Sequence, residues 1–334
     1  MMEKEIKYIN CIQARDIINK YVAEHKAFLF FVNYDGDMAY VSKLADIDPH
    51  TLLYDFDGIT NDTRTDKTTP CHMRWTPEPP SFEQYDRSFQ SVKQNIMLGN
   101  SYLVNLTCAT PVDTNLTLSD IYMMADAKYK MLVADRFVFF SPETFVRIKD
   151  GKLIYSYPMK GTIDATMPHA EKRLMEDEKE AAEHATITDL IRNDLSRIAS
   201  HVSVKRYRYI DRLETCNGPI LQTSTEIEGR LPDDAESRMG DVLFSMLPAG
   251  SITGAPKKKT MQIIAEAENY HRGFYSGVAG VYDGRNLDSC VMIRFLEKAS
   301  SGMTYKSGGG ITSKSDPHKE YEEMIQKIYI PTLK

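Results

Sequence analysis

Cysteine is sparse in this chain of 334 residues. Cys11, Cys71, Cys108, Cys216 and Cys290 are odd in number and scattered, and no two stand in a Cys-x-x-Cys pair. That excludes a disulfide framework and points to a reducing compartment. Long apolar runs are missing too. The longest, residues 27–32, is far too short to cross a bilayer, and the charged start at residues 1–7 leads into no apolar core of a signal peptide. A soluble cytoplasmic protein without membrane contact is expected. Basic residues are outnumbered 41 to 47, for a net charge of −6. A nucleic-acid footprint would need a basic face, so no nucleic acid is expected as a partner. Any anionic ligand must be met by local positive charge. Repeats and low-complexity segments are absent, and 42% hydrophobic with 26% charged residues is ordinary for a globular chain long enough to bury a sizeable core.

What is present is best read as two portions. Thr76-Pro77-Glu78-Pro79-Pro80-Ser81 is the clearest punctuation, and a boundary is placed there, giving a short N-terminal α/β portion over 1–80 and a main region over 81–334. The first portion holds a helix over 12–23, a buried strand over 28–32, a hairpin turn at Asp35-Gly36 leading to a strand over 38–41, and a polar loop over 60–69. Beyond the boundary, Phe82, Tyr85, Phe89, Val92 and Ile96 recur at helical spacing and Gly99 sits at a C-cap position. A strand over 102–106 and a helix from Ser119 to about Leu132 follow. Strands over 137–140 and 144–148 then flank Ser141-Pro142-Glu143. Residues 171–199 read as helical, 202–210 and 220–231 as strands, 272–282 as a strand pair, and 287–296 as one strand. The last helix is capped by Asp316 and opened by Pro317.

Several stretches carry candidate chemistry. In Tyr155-Ser156-Tyr157-Pro158-Met159-Lys160-Gly161-Thr162, Pro158 ends a strand over 152–157 and Gly161 frees the backbone, leaving Lys160 at a strand's carboxyl end. A desolvated lysine there is a nucleophile; a solvated one is a turn residue. Glu143, on a neighbouring strand, is either a surface ion-pair partner or a general acid. Glu176, Glu180 and Glu183 share a helix face of the kind that is usually solvated. The polar residues of Thr188-Asp189-Leu190-Ile191-Arg192-Asn193-Asp194 are wedged among apolar ones. Gly250-Ser251-Ile252-Thr253-Gly254-Ala255-Pro256 feeds a helix with Pro256 at its first position, where free N–H groups favour an anion. Arg294, inside apolar alternation, needs a carboxylate from the protein or from a ligand. Gly308-Gly309-Gly310 reads as a turn whose bare backbone can lie against a ligand. Glu320, Glu323 and Lys327 fall on one helix face, as a routine ion pair or as carboxylates for Mg²⁺.

Taken together and in order, these stretches resemble the chorismate-utilising enzymes, the family of anthranilate, aminodeoxychorismate, isochorismate and salicylate synthases, over about Phe82 to Lys327. The resemblance implies an α+β fold in which two antiparallel β-sheets pack face to face with helices outside, and it makes 81–334 the chorismate-binding catalytic region. It implies Mg²⁺ held by Glu183 and Glu323, with Lys160 as nucleophile at C2 of chorismate and Glu143 as general acid for the departing C4 hydroxyl. Tyr275 and Arg294 become contacts for the enolpyruvyl carboxylate, and Ser251, Thr253, Gly308, Gly309, Gly310 and Lys327 complete the anion site. The sister synthases usually carry alanine at the position of Lys160, so Pro-x-Lys-Gly-Thr resembles the aminodeoxychorismate branch, which aminates chorismate on the way to p-aminobenzoate and folate. Anthranilate synthase component I and a catalytically silent chorismate-binding subunit are the alternatives. The family histidine two residues before Ser224 is replaced by Gln222, which can hydrogen-bond a leaving hydroxyl but cannot protonate it. The portion before Phe82 is also shorter than is usual in the family. No Gly-x-Cys-x-Gly elbow is present, so ammonia is expected from a separate glutamine amidotransferase subunit.

Overall fold

A computed structural model describes residues 6–64, 73–215, 218–300 and 302–331. Cys71, Cys216 and the end of the loop expected over 60–69 lie outside these residues. Two antiparallel sheets of ten and nine strands form the architecture, as the family resemblance implies. The boundary at residue 80 is not a break in it. Strand Phe28–Val32 is hydrogen-bonded to Val278–Tyr282 in the larger sheet, and Leu52–Phe56 to Tyr129–Val133 in the smaller one. The N-terminal segment is thus built into both sheets. Phe28, Phe30 and Phe31 are buried because their strand lies between two others.

The amphipathic reading of the first long helix holds. Ser81 and Gln84 form a capping box, Tyr85, Phe89, Val92 and Ile96 are buried, and Gly99 takes φ +76°. Other expectations change. Thr117, not Ser119, caps a helix that covers only Leu118–Met124, and the apolar run Tyr129–Val133 is a fully buried strand. Asp177 splits the expected long helix into Ala170–Glu176 and Glu178–Ser196. Pro256 is the N-cap of Lys257–Ala267 and lies outside its first turn.

Two corrections bear on the site. Residues 287–296 are not one strand: Leu287–Val291 belongs to the larger sheet and Phe295–Ala299 to the smaller, and Arg294 makes the crossing at φ +52°. Gly308 to Gly310 are not a turn but part of strand Gly302–Ile311, paired with Thr107, Leu106 and Asn105. A Cβ on Gly308 would lie 2.2 Å from the Leu106 carbonyl oxygen, so only glycine fits.

A buried ion pair ties the site's loop to this frame. The side chains of Arg272 and Glu268 are 2% and 1% exposed. Arg272 gives Nε and Nη2 to the two Glu268 oxygens at 2.9 and 2.7 Å, Nη1 to the Ile252 carbonyl at 2.9 Å, and Nη2 again to the Asn105 carbonyl at 2.6 Å. Glu268 Oε1 also accepts from the Thr107 N–H and hydroxyl. Removing one partner leaves an uncompensated buried charge. Arg272→Leu is expected to cost roughly 3–5 kcal/mol, read as a lower urea midpoint than the wild type. An unchanged midpoint would show that the pair is dispensable.

Candidate active site

Strand Met159–Asp164 pairs with Gly218–Arg230 through an irregularity between Met159 and Thr162, and Gly161 takes φ +93° within it. Lys160 therefore lies inside a kinked strand, not at the end of one. Its ammonium sits 2.9 Å from Glu183 Oε2 on helix Glu178–Ser196. Glu183 Oε1 lies 3.7 Å from Lys179, which also reaches Glu320 at 4.0 Å. On the last helix Glu323 pairs with Lys327 at 2.6 Å, and Lys327 donates to the Gly308 carbonyl at 2.9 Å. A Cβ on Gly309 would meet Glu320, Glu323 and Lys327 at 3.5–3.7 Å, so the bare strand borders this charge cluster.

The cluster sets its own ionisation. Burial works against the charge on Lys160, but Glu183 and Glu323 outweigh it and push the amine above its ordinary value. Burial would raise Glu323 likewise, yet Lys327 and Lys160 overcome it and hold this carboxyl at about 2. Glu180 and Glu320 go the other way, raised by burial. Glu180 is thus no solvated surface residue: its Oε2 would be 3.1 Å from a Cβ at Gly161.

The second group centres on Glu143, just ahead of strand Thr144–Lys149. Ser251 donates to its Oε1, and its N–H donates to the Ser141 hydroxyl at 3.1 Å. Burial raises its pKa, partly offset by Ser251, Arg294 and Lys327. A carboxyl that keeps its proton more readily than usual suits a general acid. The Arg294 guanidinium forms no ion pair among the described residues; it donates Nε to the Tyr329 hydroxyl at 3.5 Å and lies over that ring. Tyr275 is buried beside it, its phenol pushed up to about 12 by burial.

Two expected residues are not brought into this arrangement. The Thr253 hydroxyl is buried and donates to the Ala249 carbonyl at 2.9 Å, so it shapes the loop. Gln222 pairs with Thr162 and Asp211 in the sheet. Alternation along its strand puts it on the face opposite Thr223 and Thr225, whose hydroxyls face helix Glu178–Ser196. The polar run on that helix resolves into two parts. Asp189, Arg192 and Asn193 bond one another on the exposed side, whereas Asp194 pairs with Lys257 at 2.8 Å and holds the Ser251 loop against the helix.

His184 is the residue that sequence reasoning missed. It is fully buried, with Nδ1 3.1 Å from the Lys160 carbonyl oxygen and Nε2 2.6 Å from the Thr225 hydroxyl. A carbonyl can only accept, so Nδ1 carries the hydrogen and Nε2 accepts from Thr225. Burial lowers its pKa below the ordinary imidazole value. Thr223 donates to the same carbonyl. The signal was its place directly after Glu183, which turns it to the buried side of the helix while Glu183 faces the lysines.

Mg²⁺ can be tested against these donors. Glu183 Oε1 is a buried carboxylate oxygen without a hydrogen-bond partner, and Glu323 is firmly ionised. Among the described residues no three His, Cys, Asp or Glu side chains converge as a complete metal cage. Two carboxylates, with the remaining positions left to water and ligand oxygens, fit a hard cation of this kind.

Residues 8–332 match the chorismate binding enzyme family. The chain is 44% identical over 313 residues to a protein of Haemophilus influenzae named Uncharacterized PabA-like protein, covering 94% of each. It is 34% identical over 263 residues to anthranilate synthase component 1 of Acetivibrio thermocellus, covering 74% of this chain and 52% of that one. The menaquinone-specific isochorismate synthase of Escherichia coli has the same fold, with a TM-score of 0.70 at 17% identity over 96% of this chain and 82% of that one. The chain belongs to the chorismate binding enzymes. No helix among the described residues is long and apolar enough to cross a membrane.

Two outcomes are expected. Lys327→Met should raise the Glu323 midpoint above about 2, followed by carboxylate NMR; the sign follows from loss of a neighbouring cation. His184→Asn should lower kcat for chorismate on the order of 10- to 100-fold through a misplaced Lys160, with KM changed by less than about threefold. Equal loss in both parameters with a lowered melting temperature would make His184 merely structural.

Proposed function

We propose that this chain is an aminodeoxychorismate synthase component I, which converts chorismate and ammonia to 4-amino-4-deoxychorismate through a covalent lysine intermediate, for p-aminobenzoate and folate synthesis. The observation that carries the reading is the Lys160 amine, set 2.9 Å from Glu183 within a cluster of carboxylates. A primary amine there has a chemical use only if it attacks the substrate or senses the same anion as the carboxylates. The sister branches usually have alanine there.

Glu183 and Glu323 would hold Mg²⁺, which supplies a site for the ring carboxylate of chorismate. The unpaired Arg294 with Tyr275 takes the enolpyruvyl carboxylate. Lys327 and the bare strand at Gly308 and Gly309 border the same space. Lys160 must first lose its proton, and Glu180 and Glu320, both raised above the usual carboxylate range, are acceptors within its electrostatic reach. The free amine bonds to C2, the two conjugated ring double bonds each shift by one position, and the C4–O bond breaks. Glu143 gives its proton to the leaving oxygen, which departs as water. Ammonia then bonds to C4, both double bonds return, the C2–N bond breaks to release the Lys160 amine, and the surplus proton of the C4 ammonium returns to Glu143. Gln222, on the far face of its strand, leaves Glu143 as the acid of this scheme.

Ammonia is assigned to a separate glutamine amidotransferase. No nucleophile elbow occurs in the sequence, and burial pushes the Cys108 thiol up to about 12, far from a reactive thiolate.

Purified protein with chorismate, Mg²⁺ and excess ammonium should yield aminodeoxychorismate by mass spectrometry. Lys160→Ala should lose about 10³-fold or more of that rate. Anthranilate with pyruvate as the products would assign the chain to the sister reaction. Chorismate binding without turnover would make it a silent subunit.

A further inference from the structure

The last helix ends at Gln326, and the chain continues as Lys327-Ile328-Tyr329-Ile330-Pro331. Ile328 and Ile330 are buried and join the hydrophobic core, while Lys327 and Tyr329 are only half-buried. This alternation leaves the two polar side chains for the site. Lys327 reaches the Gly308 carbonyl, and the Tyr329 ring lies against the Arg294 guanidinium, 5.5 Å from the ring centroid. The backbone that carries the ring is tied down on both sides. Tyr305 donates its hydroxyl to the Tyr329 carbonyl at 3.0 Å, and the Asp126 N–H donates to the Pro331 carbonyl at 2.7 Å.

What Tyr329 and Arg294 offer one another is incomplete. The bond from Arg294 Nε to the Tyr329 hydroxyl, at 3.5 Å, is long for an N–H···O contact and correspondingly weak. The two terminal nitrogens of the guanidinium have no hydrogen-bond partner among the described residues, yet they are not sealed from solvent. The Tyr329 hydroxyl accepts from Arg294 but donates to nothing among the described residues. Two neighbouring groups thus hold unused donors and no acceptor. A carboxylate supplies what is missing: it takes paired N–H bonds from a guanidinium and keeps lone pairs for a phenol. Arg294 and Lys327 both favour the charged form of Glu143, so this pair borders the space that Glu143 serves.

We propose that Tyr329 is a substrate-contacting residue whose hydroxyl donates to the enolpyruvyl carboxylate of chorismate, beside Arg294 and Tyr275. The assignment rests on the reading of Arg294 as the receiver of that carboxylate. On binding, the weak bond between Tyr329 and Arg294 is exchanged for charge-assisted bonds from both to one anion. Tyr329 thereby adds to the selection of ligands whose side arm ends in a carboxylate, because a neutral end would leave both sets of donors unpaired.

The test is Tyr329→Phe, which removes the hydroxyl and keeps the ring against Arg294. With chorismate, Mg²⁺ and ammonium, KM should rise about tenfold or more, the weight of a hydrogen bond to a charged group. The change in kcat should stay within about twofold, since the contact is the same before and during the reaction. Calorimetric Kd for chorismate without ammonium should rise by the same factor as KM, at an unchanged melting temperature. Unchanged Kd and KM would overturn the assignment. So would a fall in kcat and in melting temperature at unchanged Kd, which would make Tyr329 only a prop for the Arg294 side chain. A wild type that binds chorismate without aminating it would sink the amination reading alone, and the comparison of Kd values would still decide Tyr329.

Discussion

Arg272 and Glu268 are charges that the fold has taken out of water and then surrounded. Desolvating either ion alone costs several kcal/mol. The cost is offset because each carboxylate and guanidinium bond reaches a group that has to be held anyway: the Ile252 carbonyl in the loop of Ser251, the Asn105 carbonyl and Thr107 on the strand opposite the glycines, and the two ions themselves. Lys306 adds a bond to the Arg272 carbonyl from the glycine-bearing strand. A loop of small residues has little apolar surface with which to fix its own position. Here it is fixed from one side by Arg272 and from the other by the Asp194–Lys257 pair. Ser251, and through it the carboxyl of Glu143, inherits that position.

Around the reaction space the signs of charge alternate. Lys179, Glu183, Lys160, Glu323 and Lys327 contact or face one another in turn. Such an arrangement sets each charge beside one of opposite sign. It also means that the cations can be released only when something else satisfies the carboxylates. Such local pairing is something that the net charge of −6 alone could never reveal.

The sheets were legible because buried strands leave unbroken apolar runs, and Phe28–Val32 or Phe137–Ser141 can be little else. The long helix was legible from the helical spacing of Phe82, Tyr85, Phe89, Val92 and Ile96 and from Gly99 at its end. Tyr129–Val133 was misread because a short apolar run has no period of its own, and only pairing on both edges makes it a strand. The glycine stretch at 308–310 reads as a turn because propensity sees three glycines and cannot see the Leu106 backbone that forbids anything larger. Lys160, Glu183, Glu323 and Lys327 were singled out as candidates through order and company along the chain, and they share one charge cluster. His184 was not, since a buried histidine bonding a main-chain carbonyl leaves no periodic trace. Thr253 and Gln222 show the reverse: the right residue types at fitting positions, turned elsewhere by a loop hydrogen bond and by strand alternation.

The crossing at Arg294 has a mechanical meaning. Its neighbours on one side belong to the larger sheet and on the other to the smaller, while Lys160 is carried by the larger sheet alone and Lys327 is anchored to the smaller. The distance between the Arg294 guanidinium and the Lys160 amine is therefore a gauge of how the two sheets are stacked. Side chains packed between the layers, far from either residue, thereby set how far apart the two cations stand.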